Sequence, residues 1–166
     1  MNYILLNMKI FLFFFSFFIL KNSYCYEYIR TINGKRNIVT SFDISKSEKF
    51  VNFTLDGTFT DNLGNYGYIE SSSIVFLKNN QVLKLEGYGK YTYQNNAIIY
   101  VRGVRNQQEQ NSGVGENEII GATGLLKELI GVKCTYAIKF FENYFYWLQK
   151  CNISKKEREI LSSLPK

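Results

Sequence analysis

The sequence predicts an all-β protein: an antiparallel up-and-down β-barrel of about eight strands with a short C-terminal helix. From Phe50 onward, apolar, aromatic and β-branched runs alternate with turn residues, and no helical pattern lies between the runs. One apolar face also continues through successive hairpins, which is typical of a closed barrel or a sandwich. Closure into a barrel leaves no exposed strand edge.

Residues 1–25 have the pattern of a secretory signal peptide, which leaves residues 26–166 as a single barrel domain. Ile10–Leu20 is an apolar block of eleven residues preceded by Lys9, and smallish residues flank a cut after Cys25. The block is short for a membrane span, which needs about 20 residues. An uncleaved anchor remains the alternative. We therefore expect a secreted or periplasmic protein that has no stable membrane span after cleavage.

The composition excludes several kinds of site. The chain contains no His, which rules out His-based triads, His general bases and His metal sites. We expect neither a metal nor a cofactor. Removal of Lys9 and Lys21 lowers the formal charge from +6 to about +4, and the remaining lysines are scattered. This charge pattern indicates a solvated surface rather than nucleic-acid binding, and oligomerisation stays open.

The first part of the barrel domain has one clear strand. Tyr26–Ile38 is mixed, with a turn predicted at Asn33-Gly34, and the polar Ser41–Lys49 is predicted to be a connector. Phe50–Asp61 alternates cleanly, as a half-buried strand does. Its apolar face carries Val51, Phe53, Leu55, Gly57 and Phe59.

Tyr66–Lys78 and Gln81–Tyr93 are predicted to form a hairpin around Asn79-Asn80, because Asn tolerates the positive φ of a primed turn. A two-residue loop places Phe76 opposite Leu83, with both side chains inward. The same parity turns these residues inward: Tyr68, Glu70, Ser72, Ile74, Leu85, Gly87, Gly89 and Tyr91. Two inward glycines in one strand indicate a sharp bend or room left inside the barrel.

The orientation of the next strand, Ala97–Arg105, depends on the length of the preceding loop. A two-residue loop at Asn95-Asn96 turns Tyr100 and Arg102 inward, and this is the reading we favour. A three-residue loop reverses the parity and points Arg102 outward. The polar stretch 106–116 is then predicted to be a mobile loop, and Asn117–Ala122 to be a strand.

Val132–Asn152 is predicted to form a hairpin around Glu142-Asn143, closed by a disulfide between Cys134 and Cys151. The two cysteines are equidistant from the turn and fall on a non-hydrogen-bonded pair, where Cα atoms lie about 4.5 Å apart. Two buried free thiols are the alternative. One face carries Cys134, Ile138, Phe140, Phe145, Trp147 and Cys151, and the other carries Lys133, Thr135, Lys139, Tyr146 and Lys150. Ser154–Glu157 is a capping box that opens a short helix, Lys155–Leu164.

Residues Gly121 to Leu126 read Gly-Ala-Thr-Gly-Leu-Leu, and Gly131-Val132 follows them. This pattern resembles the late-strand signature of dirigent proteins and allene oxide cyclase-like barrels. In that family a Gly-Gly-Thr-Gly turn and an aromatic residue precede a spaced glycine, whereas Ala122 and Leu126 replace two of these residues here. The resemblance covers roughly residues 50–141. It implies a lumen that binds an apolar or phenolic small molecule and orients it through a few polar groups.

The predicted parity brings six candidate ligand-binding residues into the lumen: Tyr68, Glu70, Ser72, Tyr91, Tyr100 and Arg102. A buried carboxylate needs a partner, and Arg102 would supply one to Glu70. The alternative is a structural ion pair or a polar core satisfied by water. No catalytic residue is identified.

Three functions remain open. They are binding of a small hydrophobic or phenolic ligand, an isomerase- or cyclase-type reaction that uses Glu70 and Arg102 in the lumen, and a structural or surface-interaction role with a filled core. Asn52 and Asn152 also match the N-glycosylation pattern. This pattern matters in a eukaryotic secretory pathway and is inert in a bacterial periplasm.

Overall fold

The computed structural model describes residues 25–165, except for the side chains of residues 107 and 108. These residues form a closed barrel in which eight antiparallel strands follow one another in chain order and the last pairs with the first. The predicted fold class is therefore confirmed. Residues 1–24 of the predicted signal peptide lie outside the described residues.

The strands are β1 (Tyr26–Asp43), β2 (Glu48–Asp61), β3 (Tyr66–Lys78), β4 (Gln81–Tyr93), β5 (Ile98–Glu109), β6 (Ser112–Ala122), β7 (Lys133–Phe141) and β8 (Tyr144–Ile153). A 3₁₀ helix, Gly124–Leu129, joins β6 to β7, and helix α1, Lys155–Ser162, follows β8. Both helices lie at the same end of the barrel, which we call the helix end. The tips of the four hairpins β1–β2, β3–β4, β5–β6 and β7–β8 form the opposite end, which we call the hairpin end.

Apolar side chains from both helices close the helix end. Leu126 and Leu129 of the 3₁₀ helix and Leu161 of α1 are buried there. The predicted capping box of α1 is confirmed: the Ser154 hydroxyl accepts from the Glu157 backbone N–H, and the Glu157 carboxylate accepts from the Ser154 N–H at 2.6 Å. No helix within residues 25–165 has the length and apolar character that a membrane crossing requires.

The β7–β8 hairpin matches its prediction in register, orientation and covalent bonding. Cys134 lies opposite Cys151 and the two form a disulfide, with their Cα atoms 4.1 Å apart. Every side chain predicted for the inner face is buried, and those predicted for the outer face are exposed. The predicted register succeeds because Glu142 adopts a φ of 53°, as a two-residue turn requires.

The structure confirms the predicted apolar face of β2. It contradicts the turn predicted at Asn33-Gly34 in β1. β1 runs without interruption through Asn33-Gly34. Gly34 lies opposite Gly57, and a Cβ atom built on Gly34 would lie 2.1 Å from the Asp56 carbonyl oxygen. Glycine at this position permits close approach of two strands rather than a turn.

A β-bulge reverses the predicted orientation of β3. Both turn asparagines have positive φ, as predicted, and Leu77 lies opposite Val82. The next pair is Phe76 with Lys84, so that Leu83 is an extra residue in β4. Inward residues of β4 beyond the bulge keep their predicted orientation, whereas the predicted inward residues of β3, including Ile74 and Phe76, lie outward.

The β4–β5 loop reverses the side-chain orientation predicted for β5. The loop contains three residues, since the Tyr93 N–H donates to the Ala97 carbonyl and Tyr91 pairs with Ile99. The stretch 106–116, predicted to be a mobile loop, instead belongs mostly to the ends of β5 and β6. Pairing with β4 and β7 satisfies the backbone of this polar segment, in which Val114 is the one apolar residue besides the glycines.

Candidate functional site

The structure places only one of the six predicted ligand-binding residues inside the barrel. Tyr91 points inward and is 1% exposed, so its predicted orientation is confirmed. The other five lie on the outer surface: Tyr68, Glu70, Ser72, Tyr100 and Arg102. The predicted lumen position of these five is wrong because the bulge in β4 and the three-residue loop each reverse the side-chain parity.

The charged members of the predicted site form ion pairs with other partners on the outer surface. Lys90 lies 2.5 Å from the Glu70 carboxylate, and the Arg102 Nε atom lies 2.9 Å from the Glu86 carboxylate. Hydrogen bonds from Arg102, Tyr88 and Lys84 hold the pKa of Glu86 below its usual value. Glu70 and Arg102 therefore do not pair with each other in the lumen, although Glu70 is among the residues that border the central cavity.

A cavity lies in the middle of the barrel, with about 520 Å³ of space between the lining atoms, a figure that includes open solvent. Its apolar wall includes Phe53, Leu55, Ile69, Leu85, Ile138 and Phe140. The centres of water molecules could occupy about 40 Å³ of the space, which is enough for a few waters in the absence of another occupant. The predicted room next to the inward glycines of β4 is therefore present.

Small residues on β3, β4 and β5 create this room. Ser71 and Ser73 lie opposite Gly89 and Gly87, and Gly87 lies opposite Gly103. These positions carry almost no side-chain volume into the lumen. On the opposite side, β7 and β8 contribute the large rings of Tyr136 and Trp147, whose centres are 4.9 Å apart. The cavity thus lies between a bare wall and an aromatic wall.

Four polar side chains on the cavity wall contain buried atoms with no hydrogen-bond partner among the described residues. They are the Ser71 hydroxyl, the Asn117 amide nitrogen, the Trp147 indole N–H, and the Nε and Nη1 atoms of Arg105. Three of these groups can act only as donors. Buried polar atoms normally have partners, because an unpaired one costs about 1–3 kcal/mol. Water molecules or an acceptor group of a ligand in the cavity would supply the missing partners.

Arg105 is the charged member of this group. Its side chain is 3% exposed and points inward from β5, opposite Leu85 of β4. Nη2 donates to the Gln110 carbonyl at 3.3 Å, and no described carboxylate forms an ion pair with the guanidinium. Burial lowers the pKa of Arg105 below its ordinary value, but an arginine side chain keeps its charge at neutral pH.

A second arginine lies close to the hairpin end of the same lumen. The Arg36 guanidinium carbon is 4.5 Å from the centre of the Phe140 ring, and its Nη2 atom donates to the Glu142 carbonyl. Its Nε atom is buried and unpaired. A smaller cavity with about 300 Å³ of empty space is lined by Arg36 and shares Phe53, Arg105 and Phe140 with the central cavity.

Toward the helix end, aromatic residues and a third arginine fill the lumen. The Arg30 guanidinium carbon lies 4.9 Å from the Tyr28 ring centre and 4.8 Å from the Tyr91 ring centre. The Tyr28 hydroxyl donates to the Asp61 carboxylate at 2.6 Å, and the Tyr91 hydroxyl donates to Gln149. The central cavity is therefore closed on this side by packed polar and aromatic side chains.

The sequence interpretation missed Arg105, Arg36, Asn117 and Ser71 as site residues, and it assigned Trp147 only to the core. The three-residue alternative for the β4–β5 loop contained the missing signal. In that parity Val101, Gly103 and Arg105 share the inner face, and a lone arginine on a face of small apolar residues stands out.

No protein-family model matches the chain. Neither a curated protein nor a solved structure matches it significantly. Within residues 25–165, no group of acidic or cysteine side chains is arranged to hold a metal ion. Of the two predicted glycosylation sites, Asn152 is exposed near the end of β8, whereas Asn52 is half-buried within β2. Modification at either position stays a prediction.

Proposed function

We propose that this protein is exported and binds a small, largely apolar molecule in the central cavity, where a few polar side chains orient the ligand. The observation that carries the proposal is the set of unpaired donors on an otherwise apolar wall. Ligand sites typically combine an apolar lining with a few well-placed polar groups in a space of about 300–1,000 Å³. The central cavity is smaller than this, since the centres of water molecules could occupy only about 40 Å³ of it, so a ligand of this kind would have to displace lining side chains.

The interior does not favour an isomerase- or cyclase-type reaction. Asp61 is an inward-facing carboxylate at the helix end and does not line the cavity, whereas Glu70 borders the cavity but points outward and pairs with Lys90. Asp61 accepts hydrogen bonds from Tyr28, from the Asn65 side chain and from the backbone N–H groups of Leu63 and Asn65. A carboxylate held in this way stabilises the fold. Binding without turnover is therefore the function that we propose.

Two further observations support the wider proposal. The Cys134–Cys151 disulfide is compatible with an oxidising compartment, as expected of a secreted or periplasmic protein. The closed meander of eight strands has the architecture that the resemblance to dirigent and allene oxide cyclase-like barrels implies. Membership of that family and a phenolic ligand remain proposals.

Trp147 provides a direct test, because it is the only tryptophan of the chain and lies on the cavity wall. We would titrate the disulfide-bonded protein with naphthamide, a compact neutral aromatic compound, and follow tryptophan fluorescence. Saturable quenching or enhancement is expected. Ser71→Phe should abolish the response, because Ser71 lines the cavity and the new ring would fill it.

Ser72→Phe is the matched control, since Ser72 is the next residue along β3 and lies exposed on the outer surface. This variant should respond as the parent protein does. If the parent protein shows no saturable response to naphthamide or to its acid analogue naphthoate, the proposal is wrong. It is also wrong if Ser71→Phe binds as tightly as Ser72→Phe, because the ligand would then lie outside the cavity.

A further inference from the structure

The buried charge of the lumen is unbalanced, and this imbalance specifies the ligand further. Apart from the solvent-exposed Asp43–Lys49 pair at the hairpin rim, the described inward-facing charged side chains are three arginines, Arg30, Arg36 and Arg105, and one acid, Asp61. Asp61 lies at the helix end, where the Tyr28 hydroxyl donates to it and accepts from Arg30. The two arginines nearer the hairpin end therefore have no acidic partner inside the barrel.

Arg105 is buried without an anionic partner among the described residues. A charged group that is 3% exposed normally pairs with an opposite charge, since burial without one is costly. Its one hydrogen bond to a described residue is long, at 3.3 Å, and goes to the Gln110 backbone carbonyl. Its Nε and Nη1 atoms donate to no protein atom. Arg102, on the same strand, instead has a carboxylate partner at 2.9 Å on the outer surface.

The neighbouring groups could complete an oxyanion site. The Asn117 amide nitrogen and the Trp147 indole N–H are additional unpaired donors on the same cavity wall. Arg36 lies across Phe140 at the hairpin side, where it adds positive charge without a described acidic partner. Donors that are fixed in a largely dry pocket favour an anion more strongly than the same groups in water do.

We propose that the ligand is a compact organic monoanion, an apolar or aromatic carboxylic acid whose carboxylate accepts hydrogen bonds from Arg105. This inference rests on the proposed function and names the chemical class of its ligand. The carboxylate supplies the negative charge that the interior lacks, and the apolar body lies between the bare wall of β3–β5 and the rings of Tyr136 and Trp147. The limited space favours a short, ring-containing acid over a long acyl chain.

The test compares naphthoate with naphthamide, which have nearly the same shape and differ in charge. In the parent protein, naphthoate should bind about 10–100-fold more tightly than naphthamide, as read from Trp147 fluorescence. Arg105→Gln should remove this preference by weakening naphthoate binding much more than naphthamide binding. Arg105→Lys, which keeps a charge at the site, should retain part of the preference.

Arg102→Gln is the matched control, because it removes an arginine three residues away whose side chain points outward. It should retain the full preference for naphthoate. Circular dichroism would establish that each variant is folded. If naphthamide binds and naphthoate binds no more tightly, the anion inference is overturned while the proposed function stands. Equal loss of preference in Arg102→Gln and Arg105→Gln would overturn it as well. If neither compound binds, the proposed function itself fails.

Discussion

The Arg30 Nε atom donates a hydrogen bond of 3.0 Å to the hydroxyl of Tyr28, and both side chains are almost completely buried at the helix end of the barrel. The same hydroxyl donates to Asp61 at 2.6 Å and lies 3.1 Å from the Tyr93 hydroxyl. The Tyr28 phenol therefore connects Arg30 to Asp61, although the guanidinium and the carboxylate form no direct ion pair. Both charges depend on this hydroxyl for part of their stabilisation.

Replacement of Tyr28 with Phe should therefore lower the free energy of unfolding by about 2–4 kcal/mol, since hydrogen bonds to two charged groups are lost together. Urea unfolding measures the change. Tyr146→Phe is the control, because Tyr146 is 51% exposed on the outer face of β8, and it should change stability by less than about 0.5 kcal/mol. Similar effects of the two substitutions would contradict the role assigned to Tyr28.

Stability should fall at alkaline pH because the lumen contains buried tyrosines. Burial raises the pKa of Tyr28, Tyr91 and Tyr93 above the ordinary value of 10. Their contribution to stability is complete below that pH. The contribution decreases above the ordinary tyrosine pKa, because the unfolded chain then releases protons that the folded protein retains. Each such tyrosine adds a slope of about 1.4 kcal/mol per pH unit.

Urea midpoints measured between about pH 9 and about pH 11 would reveal this slope. Tyr91→Phe should make the decrease shallower, whereas Tyr100→Phe should not, because Tyr100 is 42% exposed on the outer surface. An equal slope in both variants would show that burial of Tyr91 does not control the alkaline response.

The disulfide should contribute stability without affecting the cavity. Cys134 and Cys151 are 17 residues apart in sequence, and a closed loop of this length restricts the unfolded chain by about 3 kcal/mol. The double variant Cys134→Ser with Cys151→Ser should lose about 2–4 kcal/mol on urea unfolding. Reduction of the parent protein should produce a similar loss. An unchanged melting temperature on reduction would contradict this prediction.

Arg105 should reduce the stability of the ligand-free fold. Replacement with Met keeps most of the side-chain volume and removes a buried charge that has no described acidic partner, which should raise the free energy of unfolding by about 1–3 kcal/mol. Arg102→Met should have an effect within about 1 kcal/mol, since it removes only an exposed ion pair. If Arg105→Met instead destabilises the protein, Arg105 is part of the structural core.

Local patterns determined several features of the fold correctly. The alternation of apolar residues in β2 specified its buried face, because successive side chains of a strand point to opposite sides. The equal distance of Cys134 and Cys151 from a two-residue turn specified the register and the disulfide of the last hairpin. The capping box located the start of α1, because its two hydrogen bonds form among residues that are adjacent in sequence.

The composition of the lumen was decided only by tertiary structure. The extra residue Leu83 in β4 and the three-residue loop before β5 each shift the register by one position. A shift of one residue moves every side chain of a strand to the opposite face. Glu70 and Arg102 therefore lie outside, while Ser71 and Arg105 lie inside. Both bulge and loop depend on how the strands twist and close around a shared core, and a single strand's pattern does not contain that information.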